Sequence, residues 1–193
     1  RALHMVYEEL GAFGTAASFM RPDFNDVLRH YTMTAGEYAI SSSARGEIDT
    51  MYREVPMTVQ QVVQEFGLEN VSKSVREQYE RHNLDQWITV IHAIEPRKDG
   101  EREVGKRDAK NMPFKSVYFE LAGNGDEMLS ESGYNYFPVL VPRWSVSGGD
   151  IYGNSPAMEA LGDIRQLQHE QLRKAQGIDY QTKPPLQMPV TMK

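Results

Sequence analysis

The spacing of apolar residues predicts that the chain begins with a helix and continues into a small sheet. Apolar side chains recur every three or four positions over residues 1–10, a helical pattern that Gly11 would end. Short β-prone runs follow between residues 14 and 43, including 24–31, and another run covers 48–55. These patterns indicate one helix followed by a sheet of short strands.

Two further helices are predicted next. Thr58 and Gln61 have the capping-box spacing, in which each side chain can bond to the backbone amide of the other residue. Apolar residues on one face follow, and Gly67 would end this helix because glycine tolerates a positive φ. A second helix is predicted over 71–82, where apolar residues are four positions apart.

A highly charged segment separates two predicted strands. Residues 87–95 are rich in β-branched side chains and stop at Pro96, and residues 114–122 form the returning strand. Between them, residues 96–111 mix both signs of charge with two glycines, which is typical of an exposed loop. The remaining predicted elements of this region are a turn at 123–126 and short strands near 127–132 and 134–141.

The last predicted helix is the longest. Ser155 is its expected cap, Pro156 its first residue and Gly177 its end, directly after Gln176. Its apolar stripe, which Gln168 interrupts, consists of Ala157, Leu161, Ile164, Leu172 and Ala175. Such a helix packs either on its own domain or beside copies of itself. The pair Pro184-Pro185 then predicts an extended exit over 186–192.

Together these elements predict an α+β fold with a strand-rich middle flanked by helical segments. Three parts are expected: 1–56 with a helix and a small sheet, 57–147 with a helix pair and a β-hairpin region bearing the charged loop, and 148–193 with the long helix and its exit. Because the chain starts at Arg1 inside a helical pattern, we expect it to be a piece of a longer polypeptide.

Composition and charge exclude several classes of function. The chain has 21 Lys and Arg against 27 Asp and Glu, a formal net charge of −6, whereas tight binding along nucleic-acid phosphates needs clustered basic residues. It has no cysteine, which excludes disulfides, zinc fingers and thiol nucleophiles. No apolar run approaches the roughly 18 to 20 residues that span a bilayer, so we expect no membrane partner.

Apparent catalytic motifs are present but incomplete. The segment from Gly100 to Lys106 follows the phosphate-binding loop pattern, but Arg107 replaces the Ser or Thr that would hold magnesium. His169-Glu170 begins like a zinc-protease helix, yet Arg173 stands where the second histidine belongs. Around Ser155 a nucleophile-elbow pattern lacks its closing glycine, and Pro156 favours helix capping instead. We therefore expect no catalytic, cofactor-binding or metal-binding residues.

Several segments resemble the head-to-tail connecting (portal) proteins of short-tailed phages of the podovirus type. The residues that carry this resemblance are Val141-Pro142-Arg143-Trp144, the segment 148–156, the Ala-Leu-x-Asp-Ile-Arg helix at 160–167 and Pro184-Pro185-Leu186. Residues 10–16 and 45–58 are also similar. The likeness spans almost the entire chain and is loosest over 95–116.

The resemblance implies a structural, non-enzymatic protein of the virion. Portal proteins form a ring, usually of twelve subunits, at one capsid vertex, and double-stranded DNA passes through it without sequence specificity during packaging and ejection. The implied partners are other copies of the chain, the terminase large subunit, the tail adaptor and scaffold or capsid proteins. Assembly is expected in the host cytoplasm. The parts 1–56 and 57–147 would then be wing-like and stem- or clip-like.

Two sets of residues are candidates for this role. The last helix would stand in or beside the channel wall or between subunits. Its candidate residues for this contact are Asp163, Arg165, Gln166 and Gln168. The charged loop would be a docking site for a partner, although an inert surface hairpin explains its charge equally well. The candidate docking residues are Arg97, Lys98, Arg102, Lys106 and Arg107. The alternative functions are a β-rich adaptor or capsid interaction module, and a serine hydrolase that uses Ser155.

Overall fold

The computed structural model describes residues 2–103, 105–106, 108–121 and 128–184. Its helices are α1 (Ala2–Phe13), α2 (Val59–Phe66), α3 (Lys73–Glu80), α4 (Pro156–Glu159) and α5 (Leu161–Thr182). Its strands are β1 (Ala17–Asp23), β2 (Val27–Met33), β3 (Tyr38–Ser42), β4 (Ile48–Thr58), β5 (Trp87–Pro96), β6 (Phe114–Glu120), β7 (Met128–Tyr134) and β8 (Val139–Leu140). Short 3₁₀ turns lie at Asp99–Glu101 and Ala109–Asn111. The predicted α+β class is confirmed.

The strands form two antiparallel sheets. The smaller sheet has the order β2-β1-β8 and the larger has the order β3-β4-β5-β6-β7. Strand β4 is the longest of the large sheet and pairs along its length with β5, with Met51 opposite Ile94 and Thr58 opposite Trp87. The predicted pairing of β5 with the returning strand β6 is confirmed as an antiparallel hairpin.

One face of the large sheet is covered by two different layers. Side chains an even number of residues apart point to the same face of a strand, so Val90 and Ile94 both face inward from β5. Ile94 packs against the small sheet, in a buried cluster that also contains Phe19, Met33 and Met51. Burying each of these large side chains contributes roughly 1.5–3 kcal/mol.

The helix pair covers the other end of the same face. Val90 packs in a second buried cluster with Val59 and Val62 of α2, Val75 of α3 and Leu129 of β7. The capping box at the start of α2 is confirmed, because Thr58 and Gln61 each bond to the backbone amide of the other. Helix α3 begins two residues later than predicted, after Ser72, whose hydroxyl accepts from the Val75 amide.

Several predicted boundaries were wrong. Helix α1 passes Gly11 and ends at Phe13, and α5 passes Gly177 and ends at Thr182. A glycine costs only about 1 kcal/mol relative to alanine inside a helix, and the surrounding turns outweigh that cost. The single helix expected from Ser155 is interrupted at Ala160, between α4 and α5. Phe24, expected in a strand, lies at the exposed tip of the β1–β2 hairpin.

Some predictions fall outside the described residues. These are the turn at 123–126, the end of the returning strand at Ala122, the start of the first helix at Arg1, the candidate docking residue Arg107 and the extended exit beyond Pro184. The three-part division stays a prediction; strand β4 itself runs through residue 56.

A neutral histidine lies in the core between the two sheets. His92 is fully buried, with its ring stacked on Tyr118 at 4.0 Å and edge-on to Phe19 at 5.6 Å. The Arg53 guanidinium donates through Nε to its Nδ1 at 3.0 Å, so the ring proton lies on Nε2, facing the Ser116 hydroxyl at 2.8 Å. Burial, aided by the charges of Arg53 and Arg21, lowers the pKa of His92 to about 3.

This histidine makes folding stability depend on pH. The pKa of His92 is lower in the folded protein than its ordinary value of 6.5, so the unfolded chain binds more protons between those values. The contribution of His92 to the free energy of unfolding is therefore fully present above about pH 6.5 and is lost as the pH drops towards 3. The slope from this residue is up to ~1.4 kcal/mol per pH unit. His92→Gln keeps a hydrogen-bond acceptor and should flatten this part of the curve. Urea unfolding at stepped pH measures the difference, and equal slopes for both proteins would contradict it.

Candidate functional site

The segment 141–155, which carries part of the family resemblance, folds back across the end of α1 and the start of β1. The Trp144 amide donates to the Gly14 carbonyl at 2.9 Å, and the Ala16 amide donates to the Pro142 carbonyl at 3.2 Å. The segment is also paired with itself, because the Asn154 amide donates to the Ser145 carbonyl at 2.7 Å. We call this arrangement of residues 10–16 and 141–155 the junction.

Two glycines allow the backbones of the junction to touch. Gly14 has a φ of +73°, which favours glycine, and a side chain there would collide with the Gly153 carbonyl. A Cβ on Gly153 would in turn lie 2.5 Å from the Gly14 carbonyl oxygen. The Gly153 amide is satisfied by the Thr15 hydroxyl at 2.7 Å. The two chain segments are therefore held at a distance that no other residue type permits.

Ser155 ties the end of α1 to the start of α4. It is fully buried; its hydroxyl donates to the Ala12 carbonyl at 2.8 Å and accepts from the Met158 amide at 2.9 Å. Pro156 occupies the first turn of α4, so the predicted role of Ser155 as a helix cap is confirmed. The hydroxyl proton is donated to a backbone carbonyl and not to a general base, and the oxygen accepts from a backbone amide, so the group is not arranged for nucleophilic attack.

Two side chains attach the junction to the large sheet. Arg143 donates to the Ile151 carbonyl at 3.2 Å and to the Gly46 carbonyl in the β3–β4 turn at 2.9 Å. The Tyr152 hydroxyl accepts from the Ile40 amide of β3 at 3.2 Å. Charge-assisted bonds of this kind are stronger than neutral ones, so Arg143 holds the segment across a long separation in sequence.

Tyr38 completes the junction from the side of β3. Its hydroxyl donates to the Thr15 carbonyl at 3.3 Å. Burial, followed by the neighbouring Tyr152 hydroxyl and the Glu9 carboxylate, raises the pKa of Tyr38 to about 12. The phenol therefore stays protonated and remains a donor at any ordinary pH.

The helix that this junction carries makes little contact with the rest of the chain. Helix α5 has 22 residues, none of them buried, and a length of about 33 Å. Its exposed large apolar side chains are Leu161, Ile164, Leu167, Leu172, Ile178 and Tyr180. The candidate channel residues Asp163, Arg165, Gln166 and Gln168 are all exposed on it. Of the two arrangements that the pattern allows, packing on its own domain is not seen for the described part of the chain.

The charged loop has a fixed base and an exposed outer part. Arg97 is only 6% exposed; it pairs with Glu131 at 2.7 Å and donates to the Met112 carbonyl. Arg102 donates to the Asn111 carbonyl across the loop. These two candidate docking residues therefore hold the loop closed, whereas Lys98 and Lys106 are exposed. The inward position of Arg97 depends on pairing with β7, which the sequence pattern did not reveal.

The other motifs do not assemble into sites. The segment that resembles a phosphate-binding loop leads into the 3₁₀ turn Ala109–Asn111 and then β6, where the motif requires a helix. Over the residues that the structure describes, no three His, Asp or Glu side chains come together as metal ligands. No helix in the described part of the chain is long and apolar enough to cross a membrane.

The contact between the two glycines should control the stability of the junction. Gly153→Ala would place its Cβ against the Gly14 carbonyl and is expected to lower the free energy of unfolding by roughly 1–3 kcal/mol. Gly149→Ala is the matched control in the same segment, since its Cβ would meet nothing within 4 Å. Thermal and urea unfolding of both variants measure the effect; equal stability of the two would contradict the close approach.

Comparisons with known proteins agree with the resemblance. The profile of the family described as "Bacteriophage head to tail connecting protein" matches residues 1–193. The chain is 60% identical over 193 residues to the "Probable portal protein" of Bordetella phage BPP-1 and 46% identical over 194 residues to the "Portal protein" of Salmonella phage epsilon15. Both alignments cover 100% of this chain and 34% of the relative, so the chain spans about a third of the length of these relatives. The chain belongs to the family of bacteriophage head-to-tail connecting proteins.

Proposed function

We propose that the protein is a structural portal subunit that assembles with copies of itself into a ring at a capsid vertex of the virion. Double-stranded DNA would pass through this ring during packaging and ejection, and assembly would take place in the host cytoplasm. One observation carries the structural side of the proposal: a long helix is firmly anchored at one end and buries none of its residues against the described part of its own chain.

The unburied helix needs a partner outside its own fold. An isolated helix gains little stability in water, and most helical stability in proteins comes from packing of an apolar face. One such face runs along α5 at alternating steps of three and four residues, through Leu161, Ile164, Ala175 and Ile178. Gln168 and Gln171 interrupt the stripe, and polar residues at such positions set the register between neighbouring helices.

A neighbouring copy of α5 supplies the matching surface. Copies related by rotation about a ring axis present the same stripe and the same glutamines at the same height. Asp163, Arg165 and Gln166 lie off the stripe, where they would face the channel or a flanking subunit. The ring usually has twelve subunits in proteins of this type, and we propose that number for the assembled protein.

The charge of the chain suits a channel through which DNA moves. Each phosphate contact made by a basic residue raises affinity and its dependence on salt. A net charge of −6 and the absence of a basic stripe on α5, where Arg165, Arg173 and Lys174 alternate with Asp163, Glu170 and Asp179, keep such contacts few. The DNA would therefore slide without being gripped and without recognition of its sequence.

The outer part of the charged loop is the proposed contact with other components. Lys98 and Lys106 are exposed beside a base that Arg97 and Arg102 hold closed, and Lys106 is paired with Glu103 at 2.5 Å, so the cations are presented on a defined support. The terminase large subunit is the proposed partner during packaging, with the tail adaptor following it afterwards. Scaffold or capsid proteins would contact the outside of the ring.

Two other functions are less well supported. A β-rich adaptor or capsid interaction module would share the sheets but would not form a ring that encloses a channel, so electron micrographs of the protein from its complete reading frame distinguish it. A serine hydrolase would need a reactive Ser155, which is buried and bonded at both the proton and the lone pair. Failure of an active-site serine reagent to label the protein is the expected result.

Crosslinking across the ring tests the role of α5. Because the chain has no cysteine, Gln166→Cys and Gln168→Cys each introduce a unique thiol. A short bismaleimide should join neighbouring subunits of the assembled protein into covalent dimers at these positions. Glu80→Cys on α3, also exposed, is the control and should give far less dimer. Dimer yields no higher than the control at both positions would exclude α5 from the subunit interface.

A charge reversal tests the loop. Lys98→Glu combined with Lys106→Glu should leave ring assembly intact and weaken binding of the purified terminase large subunit several-fold, because exposed charges act mainly on association. Lys73→Glu, an exposed lysine at the start of α3, is the control. Binding is measured on immobilised rings at two salt concentrations. Unchanged binding to terminase, and to the tail adaptor as well, would favour an inert surface loop.

A further inference from the structure

The two sheets diverge beyond their shared core and leave a cavity of about 600 Å³. Along β1 and β2 the inward-facing positions carry Phe19 and Tyr31 and then Arg21 and Arg29. Arg53 of β4 faces them from the large sheet. Three arginines therefore lie at one end of the packed sheets, at inward-facing positions where the two-residue period of a strand would place apolar side chains.

These arginines repel one another. Arg21 lies directly opposite Arg29 in the β1–β2 register, and like charges in that position destabilise a sheet. None of the four ion pairs found among the described residues includes any of the three. Two carboxylates, those of Glu37 and Glu54, border the cavity, but among the described residues neither lies within ion-pairing distance of the three arginines.

Arg53 is held ready for a ligand. Its Nε is used by the neutral His92, and its guanidinium lies over the rings of Phe19 at 4.9 Å and Tyr31 at 5.4 Å. No acceptor in the described chain takes a hydrogen bond from its two terminal nitrogens, and the residue lines the cavity. A fixed guanidinium with a free pair of donors is the geometry that binds a carboxylate through two parallel bonds.

We propose that this cavity binds a carboxylate side chain presented by a neighbouring copy of the chain, an inference that rests on the proposed ring. The apolar walls, formed by Phe19, Tyr31, Met33 and Val55, would receive the apolar part of the same segment. The chain supplies the ligand in excess, with 27 acidic residues against 21 basic ones. Nucleic acid fits less well, because its binding needs an extended basic surface and these arginines line a recess.

A charge reversal on the hairpin separates the stability of the subunit from its assembly. Arg29→Glu would turn the repulsive pair with Arg21 into an attractive one, so the Tm of unassembled subunits at low concentration should rise by a few degrees. Assembly of the protein from its complete reading frame, counted as rings in electron micrographs, should be lost. Arg29→Gln should act in the same direction more weakly. Arg45→Glu, exposed in the β3–β4 turn, is the control and should assemble normally.

A photo-crosslinking amino acid in place of Tyr31, which is exposed at the cavity, identifies the occupant. A crosslink in assembled rings to an Asp- or Glu-containing peptide of the same chain supports the proposal. A crosslink to nucleic acid, to a different protein or to nothing overturns it. Rings formed normally by Arg29→Glu would overturn the pocket and leave the portal function standing, whereas a wild-type protein that never forms rings would overturn both.

Discussion

The structure depends on covering one face of a five-stranded sheet along its entire length. No single element of the chain is large enough to do this, so the small sheet covers one end and the α2–α3 pair covers the other. His92 lies near the boundary between these layers, beside Phe19 on one side and Tyr118 on the other. Its neutral ring gives the boundary a polar centre that satisfies its own hydrogen bonds, through Arg53 and Ser116.

The same arrangement determines where the chain can present surfaces to partners. Where the two sheets part, their inner faces no longer pack and carry Arg21, Arg29 and Arg53 around an open cavity. At the other side of the small sheet, the junction brings α1, β1 and the segment before α4 into backbone contact. A helix of 22 residues with none of them buried needs such a rigid base if it is to contact a neighbouring subunit in a fixed orientation.

Part of the family resemblance lies in the residues that build this base. Gly153, Ser155 and Arg143 are close to the start of the long helix in sequence, but their partners Gly14, Ala12 and Gly46 lie far away along the chain. Their residue types are explained by a close backbone approach, a buried cap and a long reach to a carbonyl, respectively, so packing and hydrogen bonding alone account for a motif of this specificity.

The sequence by itself determined the features that depend on a few neighbouring residues. The capping box at Thr58 and Gln61, the Ser155-Pro156 helix start, strand β5 and the α+β class all follow from local hydrogen bonding and periodicity. The tertiary structure decided the features that depend on distant contacts: the burial of Arg97 against β7 and the cluster of arginines between the sheets. The Ser155 hydroxyl bonds to a carbonyl 143 residues away, and no local pattern encodes such a separation, because the energy that selects it exists only once the sheets have packed.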